Sequence, residues 1–484
     1  MLPEFWHRLD ASLQWLLLLV EVVVVVAALG HVILRKPDPR AAAFWAVIIA
    51  FVPLFGGILY GIFGINSLRR RGREYRTSSP LGRDRVAGKV PANQFQRVPE
   101  LTSLRGLATT LSRLSRYEFT VGNCITVLRN GDEAMPAMIE AIRQAKTSVT
   151  LGSYIFEATG IGESFLEELV AARHRGVQVR VMVDDAGTRY SWPPVTRLLR
   201  SEGVRAARYM PHRFLLRILT MNLRNHRKIL VVDGKVGFTG GMNIRQGNML
   251  SQNPPHPVRD MHFKVEGPVV RQLQQAFAED WAFCAGEILE GDTWYPHIDP
   301  MGEVAAIGVP DGPDEDMEVM PQAIFAALNA ARRQILVMTP YFLPDNQLIW
   351  ALNMAALRGV DVRIITPKFN NIPPVRWAAR TLYPMLLEKG VKIYESSGPF
   401  DHTKFMTVDG IWSLIGSTNW DPRSLRLNFE FNLACFDEAL TSQMNAQFEK
   451  NLAQSDLVTI KELAEAPLAA RLRNGLARMF IPML

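Results

Sequence analysis

Histidine and lysine two residues apart occur twice in this 484-residue chain, and the residues around each pair also return. Asn225–Asn243 reads NHRKILVVDGKVGFTGGMN, and Asp401–Asn419 reads DHTKFMTVDGIWSLIGSTN. In both, His-x-Lys is followed by four residues, Asp-Gly, a short apolar run and Gly-[Gly/Ser]-x-Asn. Alternate side chains of a strand share a face, so His226 points with Lys228 and His402 with Lys404. Each copy therefore offers an imidazole that can attack or carry a proton, beside a fixed cation suited to an anionic ester. One such pattern arises by chance in about 2% of chains of this length at ordinary residue frequencies. Two copies with matching tails are not accidental.

The elements that must hold these side chains are hairpins. Asp233-Gly234 and Asp409-Gly410 sit between apolar runs and read as tight turns. The returning strand then lays Gly240-Gly241 beside Arg227-His226, and Gly416-Ser417 beside Thr403-His402. Small residues there let a ligand approach the backbone. Asn243 and Asn419 follow with amide donors for an oxyanion. The candidate catalytic set is His226, Lys228, Asp233, His402, Lys404 and Asp409. Asp233 lies seven residues beyond His226, roughly 20 Å along a strand rising about 3.3 Å per residue, so both aspartates are expected at hairpin corners or in ion pairs, not as proton carriers.

The paired motifs resemble those of the phospholipase D superfamily, and in detail those of bacterial-type cardiolipin synthases. The likeness covers most of the chain and is most specific at Asn225–Asn243, Arg259–Gly267 and Asp401–Glu430. It implies two such motifs meeting at one site. One histidine attacks phosphorus, and the other protonates the departing alcohol and then activates the acceptor. By this analogy His226 is the nucleophile and His402 the acid/base, although the motifs alone leave the roles interchangeable. Asn243, Asn419, Gly241 and Ser417 are the expected phosphate-binding residues. A nucleophilic imidazole needs an acceptor on its other nitrogen, and the resemblance favours Asp260 for His226 and Glu430 for His402. His174, His212, His256, His262 and His297 have no repeated context. No cluster has metal-ligand spacing and lysine already supplies positive charge, so neither a metal nor another cofactor is expected.

The bulk properties fit this reading. Lys and Arg number 54 against 47 acids, and the pI near 9.3 favours an anionic partner, either nucleic acid or a membrane face. Cys124, Cys284 and Cys435 are few, separated and odd in number, which suggests small buried hydrophobes in a reducing compartment.

Leu13–Leu34 is long and apolar enough to cross a bilayer, and Ala41–Asn66 is a second apolar span. Residues 1–68 thus read as a transmembrane hairpin, with spans at about 13–34 and 41–66. Glu21 and His31 are ionisable groups in the first span, on different faces, and cannot pair within one helix. Arg69, Arg70, Arg71, Arg73 and Arg76 outnumber the basic residues between the spans, which places the remainder of the chain in the cytoplasm; the resemblance implies that the membrane is a bacterial inner membrane. Residues 69–116 read as a basic linker and an amphipathic helix, in which Leu101, Leu104, Leu107, Leu111 and Leu114 form a stripe suited to packing on the next domain, with a place on the lipid headgroups as the alternative.

From Tyr117 a strand–helix–Gly–strand pattern occurs twice, each time running on to its own His-x-Lys hairpin. The expected fold is two similar α/β domains at 117–290 and 291–465, their sheets covered on both faces, sharing one active site. Arg213–Arg224 mixes basic and large apolar residues and could face lipid or core. Residues 466–484 are an amphipathic tail, for a membrane surface or for domain packing.

The function that the resemblance implies is condensation of two phosphatidylglycerol molecules to cardiolipin and glycerol, with anionic phospholipids and the membrane as partners. A homo-oligomer is compatible with the sequence. A phospholipase D using water or another alcohol as acceptor is the close alternative, and a catalytically silent lipid-binding scaffold a distant one. A nuclease fits poorly with the membrane spans and the lack of an aromatic-rich strand-binding stretch, so no nucleic-acid partner is expected.

Overall fold

A computed structural model describes residues 11–36, 39–61, 104–210, 224–313 and 316–481. The chain divides into two compact units, Met1–Arg71 and Gly72–Leu484. The basic cluster after Asn66, the linker Thr77–Pro99 and the segment 213–223 lie outside the described residues.

In the first unit the helix Ala11–Arg35 has 25 residues, and at about 1.5 Å per residue it is long enough to cross a bilayer. The second apolar segment is not the single span expected. It forms the helices Pro39–Phe51 and Pro53–Leu59, separated at Val52, whose φ is −133° and ψ 71°. Pro53 has no N–H to continue the helical ladder, which breaks the segment there. The second piece folds back on the first, since a Cβ on Gly56 would lie 2.6 Å from the carbonyl oxygen of Ile48. Val32, Ile49 and Tyr60 form the small core, and the Tyr60 hydroxyl lies 2.7 Å from His31 Nδ1.

The second unit is built from two repeats. The first supplies strands β1 (Thr120–Arg129), β2 (Ser148–Ser153), β3 (Gln178–Asp184), β4 (Arg205–Tyr209), β5 (Arg224–Asn225), β6 (Ile229–Val232), β7 (Val236–Gly240), β8 (Val258–Arg259) and β9 (Met261–Glu266). The second supplies β10 (Val304–Asp311), β11 (Gln334–Met338), β12 (Asp361–Pro367), β13 (Lys392–Ser396), β14 (Phe400–Asp401), β15 (Phe405–Val408), β16 (Trp412–Gly416), β17 (Asn428–Phe436) and β18 (Ser455–Leu457). Outward from the centre the first repeat runs β1-β9-β7-β6-β2-β3-β4 and the second β10-β17-β16-β15-β11-β12-β13-β18. β1 pairs antiparallel with β10, so the halves form one continuous sheet.

Alternation along β2 shows why this sheet needs helices on both faces. Val149 and Leu151 join a core with Met135, Phe165 and Leu199 from helices on one side. Thr150 donates to Gln274, and Gly152 leaves room for Phe277, both on the helix Val270–Ala285. The helix Arg105–Leu114 buries Leu107 and Leu111, as its leucine stripe predicts.

Two short pairings break the separation of the halves. β5 lies parallel to the start of β17, with Asn225 opposite Phe429, and β14 lies parallel to β8, with Asp401 opposite Arg259. The two residues leading into each His-x-Lys are thus held by the opposite half.

Candidate active site

Each hairpin turns at an aspartate with positive φ, 51° at Asp233 and 54° at Asp409, followed by a glycine at 63° or 77°. Val232 pairs with Val236 and Val408 with Trp412, so each loop has three residues. A two-residue turn would set Gly240 opposite Arg227. The extra residue moves the returning strand by one, which carries Gly240 towards Lys228.

The corner carboxylates work away from the cleft. Asp233 accepts the backbone N–H groups of Lys146, Thr147 and Ser148, and Asp409 those of Arg332, Arg333 and Gln334. They pin each hairpin to the strand beside it. A chemical role for them beside the histidines is corrected by this geometry, while the corner reading agrees with it.

The histidines come together in a cleft of about 690 Å³, lined by both halves and including His226, Asn243, Asp260, His402 and Asn419. His226 N–H donates to the carbonyl of Phe429 at 2.9 Å, and His402 N–H to that of Arg259 at 2.7 Å. The orienting acids are crossed as well. His226 Nδ1 lies 3.0 Å from Glu430 Oε1, and His402 Nδ1 lies 2.8 Å from Asp260 Oδ2. The expected partners were therefore the right residues with the assignment reversed. The reason is topological: β5 and β14 carry each histidine across to the carboxylate of the other repeat. An acceptor on Nδ1 leaves Nε2 as the nitrogen free to act on a ligand.

The halves also anchor these strands in matching ways with the chemistry inverted. In the first, the Asn225 amide donates to Asp280 at 2.7 Å, and in the second the Asn451 amide donates to Asp401 at 2.9 Å. Asn225 and Asp401 each accept the N–H two residues on, from Arg227 and Thr403. Arg227 also pairs with Asp280, Nη1 lying 2.9 Å from Oδ2.

Lys228 donates to the carbonyl oxygen of His226 at 2.7 Å, and Lys404 to that of His402. Both lysines are buried behind their histidines, and neither lines the cleft surface. Burial lowers Lys228 to about 7 and Lys404 to about 8, in each case against the raising effect of the nearby carboxylates. It also lowers His226, despite the opposing pull of Glu430, and it takes His402 well below the ordinary imidazole value, helped by Lys404. Asp260 is raised to about 6 by burial. Burial acts the same way on Glu430, but His226 and Lys228 outweigh it and hold this carboxyl below its usual range.

Of the expected phosphate-binding residues, Asn243 and Asn419 line the cleft and Gly241 and Ser417 do not. A Cβ on Gly241 would lie 2.6 Å from Asp260 Oδ2, so this glycine makes room for the carboxylate and not for a ligand. Ser417 is buried, accepts the N–H of Phe431 at 3.1 Å and hydrogen-bonds Glu430. Both residues thus lie against the acids and not in the cleft. Asn419 Nδ2 donates to Ser424 while its Oδ1 is buried without a hydrogen-bond partner among the described residues. Exchanging the amide's two ends would let the hydroxyl donate to Oδ1 and free an N–H for an anion.

Sequence reasoning missed two tyrosines. The rings of Tyr154 and His226 are 5.2 Å apart, and those of Tyr341 and His402 6.1 Å, each pair edge to face. Both tyrosines follow the C-terminal ends of β2 and β11, where α/β sheets commonly bind ligands. That position was the available signal.

The model of the family described as cardiolipin synthase, PLD-like domain, matches residues 138–281 and 324–452, one stretch in each repeat. A second, phospholipase D-nuclease N-terminal, matches residues 23–64, and with the apolar helix Leu13–Arg35 it marks the chain as membrane-associated. A protein named cardiolipin synthase from Geobacillus sp. (strain WCH70) is 32% identical over 93% of this chain and 90% of its own length. The major cardiolipin synthase ClsA of Bacillus subtilis (strain 168) is 29% identical, covering 97% and 99%. The crystal structure of phosphatidylserine synthase from Haemophilus influenzae Rd KW20 superposes with a TM-score of 0.55 at 16% identity, over 74% of this chain and 95% of that one, and shows the same fold. A match in both repeats, with relatives that align from one end of the chain to the other, establishes that it belongs to the cardiolipin synthase family of phospholipase D-like proteins.

Proposed function

We propose that this chain condenses two phosphatidylglycerol molecules into cardiolipin and glycerol. The observation that carries the reading is the joining of two histidine–carboxylate pairs, with two buried lysines behind them, in one cleft between the repeats. Relatives of nearly equal length that carry the name cardiolipin synthase support it.

His226 Nε2 attacks the phosphorus of the first phosphatidylglycerol. The bond from phosphorus to the glycerol headgroup oxygen breaks, and His402 delivers a proton to that oxygen. Glycerol leaves and a phosphatidyl group remains on His226. The headgroup hydroxyl of a second phosphatidylglycerol then gives its proton to His402 and attacks phosphorus, which breaks the P–N bond and frees His226. The ionised Glu430 opposite His226 supports the nucleophile assignment, because a carboxylate there stabilises the positive charge on a phosphorylated imidazole. Lys228 and Lys404 balance the phosphate charge from behind, with Asn243 and Asn419 at the non-bridging oxygens.

On the same reading the protein is a multi-pass protein of the bacterial cytoplasmic membrane. The Arg69–Arg76 cluster favours a cytoplasmic position for the catalytic unit. Purified enzyme supplied with labelled phosphatidylglycerol is expected to release one glycerol per cardiolipin formed. Phosphatidic acid as the main product would replace condensation with hydrolysis.

A further inference from the structure

The helix Leu468–Met479 sits on the protein the wrong way round for a water-soluble domain. At 3.6 residues per turn, Leu468, Leu472, Leu476 and Met479 share one side and Ala470, Asn474 and Ala477 the other. The small side faces the protein, with Ala477 only 7% exposed, while the leucines are 68%, 65% and 59% exposed and Met479 76%. Arg471 and Arg478 border the apolar stripe on one flank and Arg473 on the other.

The helix is held against Pro373–Arg380, where the Arg473 guanidinium stacks 4.4 Å from the Trp377 ring centre. That supporting helix is also part of the cleft, which Val375 and the preceding Ile372 line. Other cleft-lining residues at the mouth are exposed and aromatic, Phe369 at 67% and Tyr190 at 54%.

We propose that Leu468–Met479 is a membrane-docking helix that inserts its leucine stripe among the acyl chains of an anionic leaflet and seats the cleft mouth against its lipid supply. An apolar arc flanked by arginines is the pattern of a helix lying in the bilayer interface, and arginines beside it complement anionic headgroups. The chain is membrane-associated, which makes a leaflet the occupant at hand, and the helix is continuous with the cleft through Pro373–Arg380. The functional half of the proposal rests on the reading that the cleft takes phospholipid. The docking half does not.

The test uses the full chain in vesicles of phosphatidylcholine with or without phosphatidylglycerol. An environment-sensitive fluorophore on Leu472→Cys is compared with the same labelling of the unsubstituted protein, whose own cysteines set the background. Emission is expected to shift to the blue, and to be quenched by lipids carrying a quencher on the acyl chain, when phosphatidylglycerol is present. A label that stays in water overturns the proposal, as does one shielded equally without phosphatidylglycerol and dependent on protein concentration, which would mean pairing of two copies. In the second arm, the triple variant Leu472→Gln, Leu476→Gln, Met479→Gln is expected to lose about tenfold or more of its turnover on long-chain phosphatidylglycerol in vesicles, since its interfacial apolar area is removed. It should retain turnover on a dispersed short-chain phosphatidylglycerol. Equal loss on both substrates overturns the docking role. Absence of cardiolipin from the unsubstituted enzyme on either substrate sinks the functional reading and leaves the fluorescence result to decide docking alone.

Discussion

Glu430 of the second repeat faces Nδ1 of His226 in the first, 204 residues earlier in the chain. Asp260 of the first repeat faces His402 of the second across 142 residues. Each imidazole is thus oriented by a carboxylate it does not share a repeat with, and the two proposed roles can be separated by removing one acid at a time.

Glu430→Gln should lower turnover of phosphatidylglycerol by about 10²- to 10⁴-fold, the range for an imidazole that loses its orienting carboxylate. Asp260→Asn should do the same. A phosphatidyl ester of p-nitrophenol, whose leaving group needs no proton, separates them. The nitrophenol burst should return in Asp260→Asn, which disables only the acid, and stay absent in Glu430→Gln. A burst in Glu430→Gln with none in Asp260→Asn would exchange the roles of the histidines.

The dependence of kcat/KM on pH should be a bell lying low on the scale. Burial lowers His226, so the attacking imidazole stays neutral to below its ordinary value and the acid limb falls there. The basic limb begins with loss of the proton from His402, which burial and Lys404 take well below the ordinary imidazole value, and continues with the loss of charge from Lys228 near 7 and Lys404 near 8. Stability runs the other way. A lysine whose folded value is depressed is neutral in the fold and still charged when unfolded between that value and about 10.4, so its contribution to stability grows as pH rises through this window. Activity that falls above pH 8 while the melting temperature holds would match both signs. A parallel fall of the two would count against the lysine assignment.

Gly241→Ala tests whether this glycine serves the acid or the ligand. An added methyl would press on the Asp260 carboxylate and displace it from His402. Activity should drop with the Asp260→Asn pattern, including the p-nitrophenol burst. A rise in KM with kcat unchanged would instead return Gly241 to the phosphate site.

Asp233→Asn should weaken the fold and spare the chemistry. One amide oxygen replaces a carboxylate that accepts three backbone N–H groups and the Thr147 hydroxyl. The expected loss is about 1–3 kcal/mol, read as a lower denaturation midpoint with kcat per folded molecule maintained. A stable protein without turnover would move Asp233 into the active site.

The repeated motif and the doubled α/β pattern were legible because they are local, a period of two in the strands and fixed offsets to Asp, Gly and Asn. The crossed pairing was not, because β5 and β14 are two residues each and carry no strand signal of their own. Their partners are chosen by tertiary packing. The one-residue shift behind Gly240 was lost for a related reason: Asp-Gly signals a turn without fixing whether the loop has two residues or three. The break at Val52 was foreshadowed by Pro53, yet hydropathy alone read 41–66 as unbroken. The outward leucines of Leu468–Met479 were visible as a stripe, but only the packing of Ala477 and Trp377 tells which way the stripe points.

Because Arg224–Asn225 meets its strand partner only at Asn428–Phe429, a ribosome must deliver nearly the whole polypeptide before His226 gains its acceptor. A nascent chain that has already reached the membrane therefore stays inert until synthesis is almost finished. A half-length ancestor would have met the same demand only as a pair of identical chains, each lending the other a two-residue strand and a carboxylate.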